Sequence, residues 1–235
     1  MSSLYERIKQ LTRAREERKQ QASATPPAPV NLQLHPARAA SMMLRTYQVT
    51  GVNFLRNTKR AILADAPGLG KTFMATEAAV LPCVISCPRL LMRQWETFIA
   101  EQYPADPLVV AGEGDVIQRA TAIETFRAQG GWMIINHDMW RRFVPPPAQT
   151  LIIDESHNMK NREAQRTKRI TVYATKAVPR VYMLSATPVH KDASDLYSQL
   201  HILDPGTFSS FWRFCSNHLI MIDYGYGSKV VHVKD

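Results

Sequence analysis

The chain reads Leu63-Ala-Asp-Ala-Pro-Gly-Leu-Gly-Lys-Thr72 where an apolar strand passes through a glycine-rich turn into the start of a helix. The main-chain N–H groups of such a turn, together with the positive end of the helix, bind the phosphate oxygens of a nucleotide. In this pattern Lys71 reaches the β- and γ-phosphates, and the Thr72 hydroxyl binds Mg²⁺. We therefore predict a nucleotide site whose phosphate cradle consists of Gly68, Leu69, Gly70, Lys71 and Thr72.

Two further strand ends support this loop, which is an incomplete match because the strict pattern has glycine at the position of Asp65. The first is Leu151-Ile-Ile-Asp-Glu-Ser-His157, and the second is Ser185-Ala-Thr187. Nucleotide hydrolysis uses one carboxylate to hold the Mg²⁺ shell and another to orient the attacking water. An Asp-Glu turn after a strand is also common without catalysis, and the phosphate loop favours the catalytic interpretation. We predict catalytic roles for Asp154, Glu155 and Lys71, with Thr72 and Asp154 as Mg²⁺ ligands.

Composition narrows the class of protein. The 235 residues suffice for one large α/β domain or two small ones, and a hydrophobic share of 45% indicates a folded chain. A net charge of +9 favours an anionic partner such as nucleic acid, although many basic proteins bind none. Cys83, Cys87 and Cys215 have no metal-ligand spacing, which indicates reduced thiols. With no membrane span and no signal peptide in the pattern, we expect a cytoplasmic, nucleoid or nuclear protein.

The chain divides into three predicted parts. Residues 1–20 have the pattern of an amphipathic helix, residues 21–41 form a Pro/Ala-rich linker, and residues 42–235 form the compact domain. In that domain, apolar strands alternate with amphipathic runs at 90–101 and 116–128. Continuous apolar strands predict a doubly wound α/β fold with a mostly parallel sheet, whose ligands bind at the carboxyl ends of the strands. The candidate strands are 61–64, 83–87, 108–111, 132–136, 151–153 and 181–184.

These motifs, in this order, resemble the first RecA-like lobe of superfamily 2 helicases, most closely the sucrose-nonfermenting (Snf-type) translocases and remodellers. The segment Leu44-Arg-Thr-Tyr-Gln48 resembles the Q motif of the family. The resemblance implies that Arg45 and Gln48 bind ATP, with the Gln48 amide reading the adenine edge. The start of an ordinary amphipathic helix is the alternative explanation of this pattern.

The resemblance also implies contacts with nucleic acid. The segment Val84-Ile-Ser-Cys-Pro-Arg-Leu-Leu-Met-Arg-Gln-Trp95 is similar to motif Ia, which makes Arg89 a candidate for binding the phosphate backbone. Asn136 and His137 follow a further strand at which the family contacts the same nucleic-acid strand. A solvated helix position for Arg89, and a loop or capping role for His137, are the alternatives that remain open.

The segment Asp154-Glu-Ser-His157 resembles motif II, with serine where alanine is commoner. The segment Ser185-Ala-Thr-Pro188 resembles motif III. The family links the histidine of motif II to nucleic-acid binding through the hydroxyls of motif III. The resemblance therefore implies that His157, Ser185 and Thr187 couple the two activities. Motif I departs from the family at Ala66 and Pro67, where glutamate and methionine are usual, and this concerns loop stiffness more than phosphate contacts.

The resemblance covers about residues 42–227 and implies an ATP-dependent DNA helicase or translocase that hydrolyses ATP with Mg²⁺ and tracks duplex DNA. Family members close ATP between two lobes, and the second lobe supplies an arginine finger. Because no Gln-x-x-Gly-Arg pattern is present, we expect a second RecA-like lobe on another chain and poor ATP hydrolysis without it. The alternative is a stand-alone nucleotide-responsive DNA-binding module. A P-loop kinase or GTPase would leave Gln48 and Ser185-Ala-Thr187 without a role.

Overall fold

A six-stranded parallel sheet organises the structure, a computed structural model that describes residues 44–112, 115–189, 193–223 and 228–233. The helix expected at residues 1–20 and the linker expected at 21–41 lie outside these ranges. The strand order is β1-β6-β5-β2-β4-β3, and every neighbouring pair is parallel. The strands are β1 Arg60–Leu63, β2 Cys83–Cys87, β3 Leu108–Val110, β4 Trp132–Asn136, β5 Thr150–Asp154 and β6 Arg180–Leu184.

Helices connect these strands and confirm the predicted α/β fold. They are α1 Thr46–Thr58, α2 Lys71–Ala78, α3 Met92–Gln102, α4 Val116–Gln129, α5 Gln165–Lys176, α6 Asp195–Leu203 and α7 Phe211–His218. Short 3₁₀ helices follow three strands, at Arg89–Leu91, His137–Arg141 and Ser156–Met159. Among the helices of the described ranges, none has the length and apolar character that a membrane crossing requires.

The central strands are covered on both faces. All five residues of β2 and all five of β4 are buried. Because successive side chains of a strand point to opposite faces, continuous burial requires packing on each side of the sheet. This explains why the strands are recognisable as uninterrupted apolar runs rather than alternating ones. Each predicted strand agrees with the structure to within about one residue at either end.

The parallel arrangement places the chemically interesting residues at one edge. The carboxyl ends of parallel strands share an edge of the sheet, where ligands of such folds bind. Following the strand order β1, β6, β5, β2 and β4, this edge carries the phosphate loop, Ser185, Asp154-Glu155, Arg89 and Asn136-His137. Along this edge, the residues predicted to bind nucleotide therefore follow strands β1, β6 and β5, and those predicted to contact nucleic acid follow β2 and β4.

A small second sheet follows the main one and was not among the predicted elements. Strands β7 Leu219–Asp223 and β8 Ser228–Val233 pair antiparallel. A separate apolar cluster of Tyr197, Phe214, Cys215 and Leu219 lies at the start of this hairpin. The thiols of Cys83, Cys87 and Cys215 are all buried, and none of the three forms a disulfide bond.

Arg60 joins the sheet to the ends of two helices. Its guanidinium donates to the carbonyl oxygens of Ile202 and Leu203 at the end of α6, at 2.9 and 2.6 Å. It also donates to Ala174 and Val178 at the end of α5, at 2.9 and 3.1 Å. The last carbonyls of a helix have no partner within the helix, and the negative end of the helix dipole favours a cation there. Arg60 therefore stabilises two helix ends at once.

Replacing Arg60 with methionine is expected to lower the free energy of unfolding by about 3 kcal/mol or more. Methionine retains the apolar stem but leaves buried carbonyl groups without donors. Urea unfolding of the full chain measures the change. Arg180→Met is the matched control. Arg180 is also the first residue of a strand, but the hydrogen bonds to these four carbonyl oxygens come from Arg60. Equal losses in the two variants would show that the helix-end contacts are not responsible.

Candidate nucleotide-binding site

The phosphate loop has the backbone that its glycines predict. Gly68 and Gly70 have φ angles of 77° and 79°, which residues with a side chain rarely adopt. A Cβ atom at Gly70 would also lie 2.4 Å from Nε2 of Gln48, so the end of that side chain would have to move to admit a larger residue. Helix α2 begins directly after Gly70 and therefore has main-chain N–H groups without intrahelical partners in its first turn.

A cavity of about 460 Å³ opens at this loop, within the usual size range of small-molecule sites. It brings together Lys71 and Thr72 of α2 with Asp154 and Glu155 at the end of β5. Its remaining lining comes from the loop and from the residues Phe73, Leu91, Gln94, Trp95, Phe98 and Ala186. The four side chains that the sequence assigned to phosphate, metal and water thus surround one space.

The donor and acceptor set of this cavity fits a magnesium–nucleotide complex. The Lys71 ammonium group donates to the carbonyl oxygens of Asp65 and Ala66, at 2.7 and 3.1 Å, and so lies over the loop. No cluster of three His, Cys, Asp or Glu side chains suited to a metal occurs within the described ranges. Mg²⁺ in nucleotide sites commonly uses one or two protein ligands and the phosphates themselves. Thr72 and Asp154 are sufficient for that kind of site.

Two hydrogen bonds orient the carboxylate of Asp154. Oδ2 accepts from the indole N–H of Trp95 at 2.8 Å, and Oδ1 accepts from the main-chain N–H of Glu155 at 2.9 Å. Burial raises the pKa of Asp154, while these two bonds act in the opposite direction by favouring the charged form. Each oxygen keeps a further lone pair, so the carboxylate can still bind a cation.

Glu155 stands in a left-handed backbone conformation, with φ 48° and ψ 53°. This conformation is uncommon for a residue with a side chain and often occurs at functional sites. The Asn158 side-chain amide and its main-chain N–H both donate to the Glu155 carbonyl, at 3.0 Å each. Oε2 of Glu155 lies 3.1 Å from Nδ1 of His157. The turn after β5 therefore fixes both the backbone and the carboxylate of Glu155.

The residues of the predicted coupling group lie in contact. Nδ1 of His157 is 3.2 Å from the hydroxyl oxygen of Ser185, and that oxygen accepts from the main-chain N–H of Thr187, also at 3.2 Å. Because the same Nδ1 lies beside Oε2 of Glu155, a chain of contacts runs from Glu155 to the loop after β6. The coupling role itself stays a prediction.

A second connection between these loops was not predicted. The hydroxyl of Ser156 donates to Oε1 of Gln199 on α6 at 2.8 Å, and Nε2 of Gln199 donates to the carbonyl oxygen of Pro188 at 2.6 Å. Ser156 and Gln199 are both completely buried. The serine that departs from the commoner alanine of motif II is thus accommodated by a glutamine 43 residues away.

The structure does not support direct nucleic-acid contacts from the side chains of Asn136 and His137, because both are buried. The Asn136 oxygen accepts from the main-chain N–H groups of Asp138 and Met139, at 3.1 and 3.2 Å. The His137 ring lies between Ser86 Oγ at 2.8 Å and the Asp154 carbonyl oxygen at 3.0 Å. Burial above all lowers the pKa of His137 to about 4, so the ring is neutral near pH 7. Both side chains hold the loop and the end of β5 in place.

The remaining predicted residues differ in exposure. The Arg89 side chain is exposed at the carboxyl end of β2, as a phosphate contact requires. Arg45 is also exposed, directly before α1. Gln48 contacts protein groups: Oε1 accepts from the Arg45 main-chain N–H at 3.0 Å, and Nε2 lies 3.4 Å from the Leu69 carbonyl oxygen. Its amide therefore packs against the phosphate loop, outside the cavity lining.

The chain belongs to the SNF2-related domain family, whose model matches residues 47–230. This family comprises ATP-dependent enzymes of the helicase and translocase type, which agrees with a cavity lined by the phosphate loop and two carboxylates. The resemblance to Snf-type proteins drawn from the motifs is thereby confirmed.

Particular relatives show the same grouping. The chain is 29% identical over 185 residues to the SWI/SNF-related matrix-associated actin-dependent regulator of chromatin subfamily A-like protein 1 homolog of Caenorhabditis elegans, which covers 72% of this chain and 25% of the relative. It is 29% identical over 190 residues to the DNA annealing helicase and endonuclease ZRANB3 of Bos taurus, covering 75% and 18%. The chain thus spans a quarter or less of the length of these relatives.

A solved structure shares the fold. The Sulfolobus solfataricus SWI2/SNF2 ATPase core in complex with dsDNA superposes with a TM-score of 0.67 at 22% identity. The match covers 79% of this chain and 41% of that one. It confirms the RecA-like α/β architecture.

Proposed function

We propose that this chain is the ATP-binding lobe of an ATP-dependent DNA translocase or helicase. In this proposal, it hydrolyses ATP with Mg²⁺ to move along DNA when a second RecA-like lobe completes the site. The observation that carries the proposal is the shared cavity of Lys71, Thr72, Asp154 and Glu155 at the carboxyl edge of the sheet. Membership of the SNF2-related family supports ATP as the nucleotide.

Each residue of the cavity has a role that its chemistry permits. The N–H groups at the start of α2 and the Lys71 ammonium group bind the phosphates, while Thr72 and Asp154 hold Mg²⁺. When bound, Mg²⁺ neutralises charge on the phosphate oxygens. Glu155 orients the attacking water and accepts its proton, because its carboxylate lines the same cavity as Lys71. Gln48 on α1 packs against the loop and Arg45 stands directly before that helix, and both are assigned to the adenine side of the nucleotide.

Arg89 is the proposed contact with the DNA backbone. It is exposed on the 3₁₀ helix after β2, two strand positions from β6 along the same edge. The net charge of +9 favours association with a polyanion. A duplex DNA substrate agrees with the similar Sulfolobus solfataricus structure, an ATPase core in complex with dsDNA. This function places the protein in the cytoplasm, at the nucleoid or in the nucleus.

Fast hydrolysis in this proposal needs a second lobe, and the chain alone hydrolyses ATP poorly. Among the described residues that line the cavity, Lys71 is the one cation, and phosphoryl transfer is greatly accelerated by an additional arginine. His157, Ser185 and Thr187 connect Glu155 to the loop after β6, so that a change at the edge of the lobe reaches the catalytic carboxylate.

Binding of duplex DNA at increasing salt tests the nucleic-acid part of the proposal. We expect the affinity to fall steeply with salt, and Arg89→Ala to weaken binding on all sequences and to reduce the slope of log K against log salt by about 1. Fluorescence anisotropy of a labelled duplex measures both quantities. Arg127→Ala is the control, because Arg127 is an exposed cation on α4 paired with Glu124. An affinity independent of salt, or equal effects of the two variants, would contradict the assignment.

A further inference from the structure

Trp95 contacts one of the proposed metal ligands and was not among the predicted site residues. It lies in α3, is only 3% exposed, and donates its indole N–H to Oδ2 of Asp154. A buried indole N–H nearly always has an acceptor, so the bond alone does not establish a function. What distinguishes this bond is its acceptor, a carboxylate that lines the same cavity as Lys71 and Thr72.

The ring of Trp95 extends this contact toward the second metal ligand. Phe98 packs edge-on against Trp95 with ring centroids 6.2 Å apart, and against Phe73 with centroids 4.7 Å apart. Phe73 follows Thr72 directly in the first turn of α2. The aromatic group of Phe73, Trp95 and Phe98 therefore connects the residue after one proposed ligand to the carboxylate of the other.

We infer that Trp95 is a positioning residue for the metal ion: its indole N–H fixes the Asp154 carboxylate so that the nucleotide-bound chain binds Mg²⁺ tightly. This inference rests on the proposed function, because it takes Asp154 as a ligand of the metal. Groups that orient a ligand in this way commonly change metal affinity by about 10- to 100-fold. Without the indole bond, the Asp154 carboxylate keeps only the hydrogen bond from the Glu155 N–H to its other oxygen, and it can then rotate.

Trp132 provides a matched control in the same chain. Its indole N–H donates to Oδ2 of Asp106 at 2.9 Å, and Trp132 is completely buried. It is the first residue of β4 and thus lies at the amino end of the sheet, opposite the cavity. Trp132→Phe and Trp95→Phe each remove one tryptophan–aspartate hydrogen bond, but only Trp95→Phe removes it from a proposed metal ligand.

The experiment measures Mn²⁺ binding to the full chain saturated with a non-hydrolysable ATP analogue, using electron paramagnetic resonance of the free ion. We expect Trp95→Phe to weaken Mn²⁺ binding by about 10- to 100-fold and Trp132→Phe to leave it unchanged. Binding of a fluorescent ATP analogue in EDTA is expected to be the same in all three proteins. Equal Mn²⁺ affinity in Trp95→Phe and wild type, or equal losses in both variants, would overturn the inference.

A measurement on the wild-type chain keeps the inference testable if Trp95→Phe does not fold. The chain has four tryptophans, so ¹⁵N nuclear magnetic resonance has only four indole N–H signals to follow. Addition of Mg²⁺ to the nucleotide complex is expected to move the Trp95 signal and not the Trp132 signal. A stationary Trp95 signal would reject the inference alone. A wild-type chain that binds no nucleotide would reject the proposed function and the inference together.

Discussion

Replacing Glu155 with glutamine is expected to slow ATP hydrolysis by about 10²- to 10⁴-fold while ATP binding is retained. Glutamine has nearly the same size, but it cannot accept a proton from the attacking water. The phosphate-binding groups, Lys71 and the first turn of α2, are unchanged. Single-turnover hydrolysis of labelled ATP with the chain in excess measures the rate even where it is low, and a fluorescent ATP analogue measures binding.

Glu163→Gln is the control for this substitution. Glu163 is an exposed acid that pairs with Arg162 and Lys168, away from the cavity lining. We expect the Glu163→Gln variant to hydrolyse ATP at the wild-type rate. An unchanged rate in Glu155→Gln would show that another group activates the water. A loss of binding would show instead that the carboxylate, through His157, holds the shape of the site.

Addition of a second RecA-like lobe is expected to raise the ATP turnover of the chain by about 10³- to 10⁵-fold with duplex DNA present. The physical reason is the charge that develops on the transferred phosphoryl group, which an arginine from the second lobe would stabilise. The lobe can be supplied as a longer chain or as a separate protein. Steady-state phosphate release, with and without DNA, measures the effect.

The control for this experiment is the same second lobe with its finger arginine replaced by alanine, which is expected to bind but not to stimulate turnover. Stimulation by the altered lobe would show that closure alone, and not the arginine, accelerates hydrolysis. If the unaltered lobe binds without effect, the chain is better described as a nucleotide-responsive DNA-binding module. DNA affinity that changes with ATP would then be its expected property.

The central strands of the main sheet were predictable from the sequence because they are buried on both faces. Such strands are continuous apolar runs, as at Cys83–Cys87 and Trp132–Asn136, and need no information from distant residues. The hairpin of β7 and β8 was not predicted. Its stability depends on pairing two strands with each other, and the surrounding sequence, with two glycines at 225 and 227, has no clear strand period.

The site was predictable where a motif is local and not where it is formed by distant residues. The phosphate loop and the strand end at Asp154 are short sequences with a defined backbone, and the structure brings them together. The Trp95–Asp154 bond joins residues 59 positions apart and has no local signal. The resemblance made His137 a candidate contact with nucleic acid, with a loop or capping role as the alternative. Its burial is decided by hydrogen bonds with Ser86 and with the Asp154 carbonyl, neither adjacent in sequence.

The buried pair of Ser156 and Gln199 has a consequence for how sequences of this kind can change. Alanine at 156 alone would leave the Gln199 oxygen without its donor. Leucine at 199 alone would leave both the Ser156 hydroxyl and the Pro188 carbonyl without a hydrogen-bond partner. Each single step costs about 1–3 kcal/mol in buried polar groups, whereas a joint exchange leaves only the carbonyl to satisfy. The two positions are therefore expected to covary, so the third letter of the Asp-Glu-Ser-His motif predicts a residue in a helix well outside it.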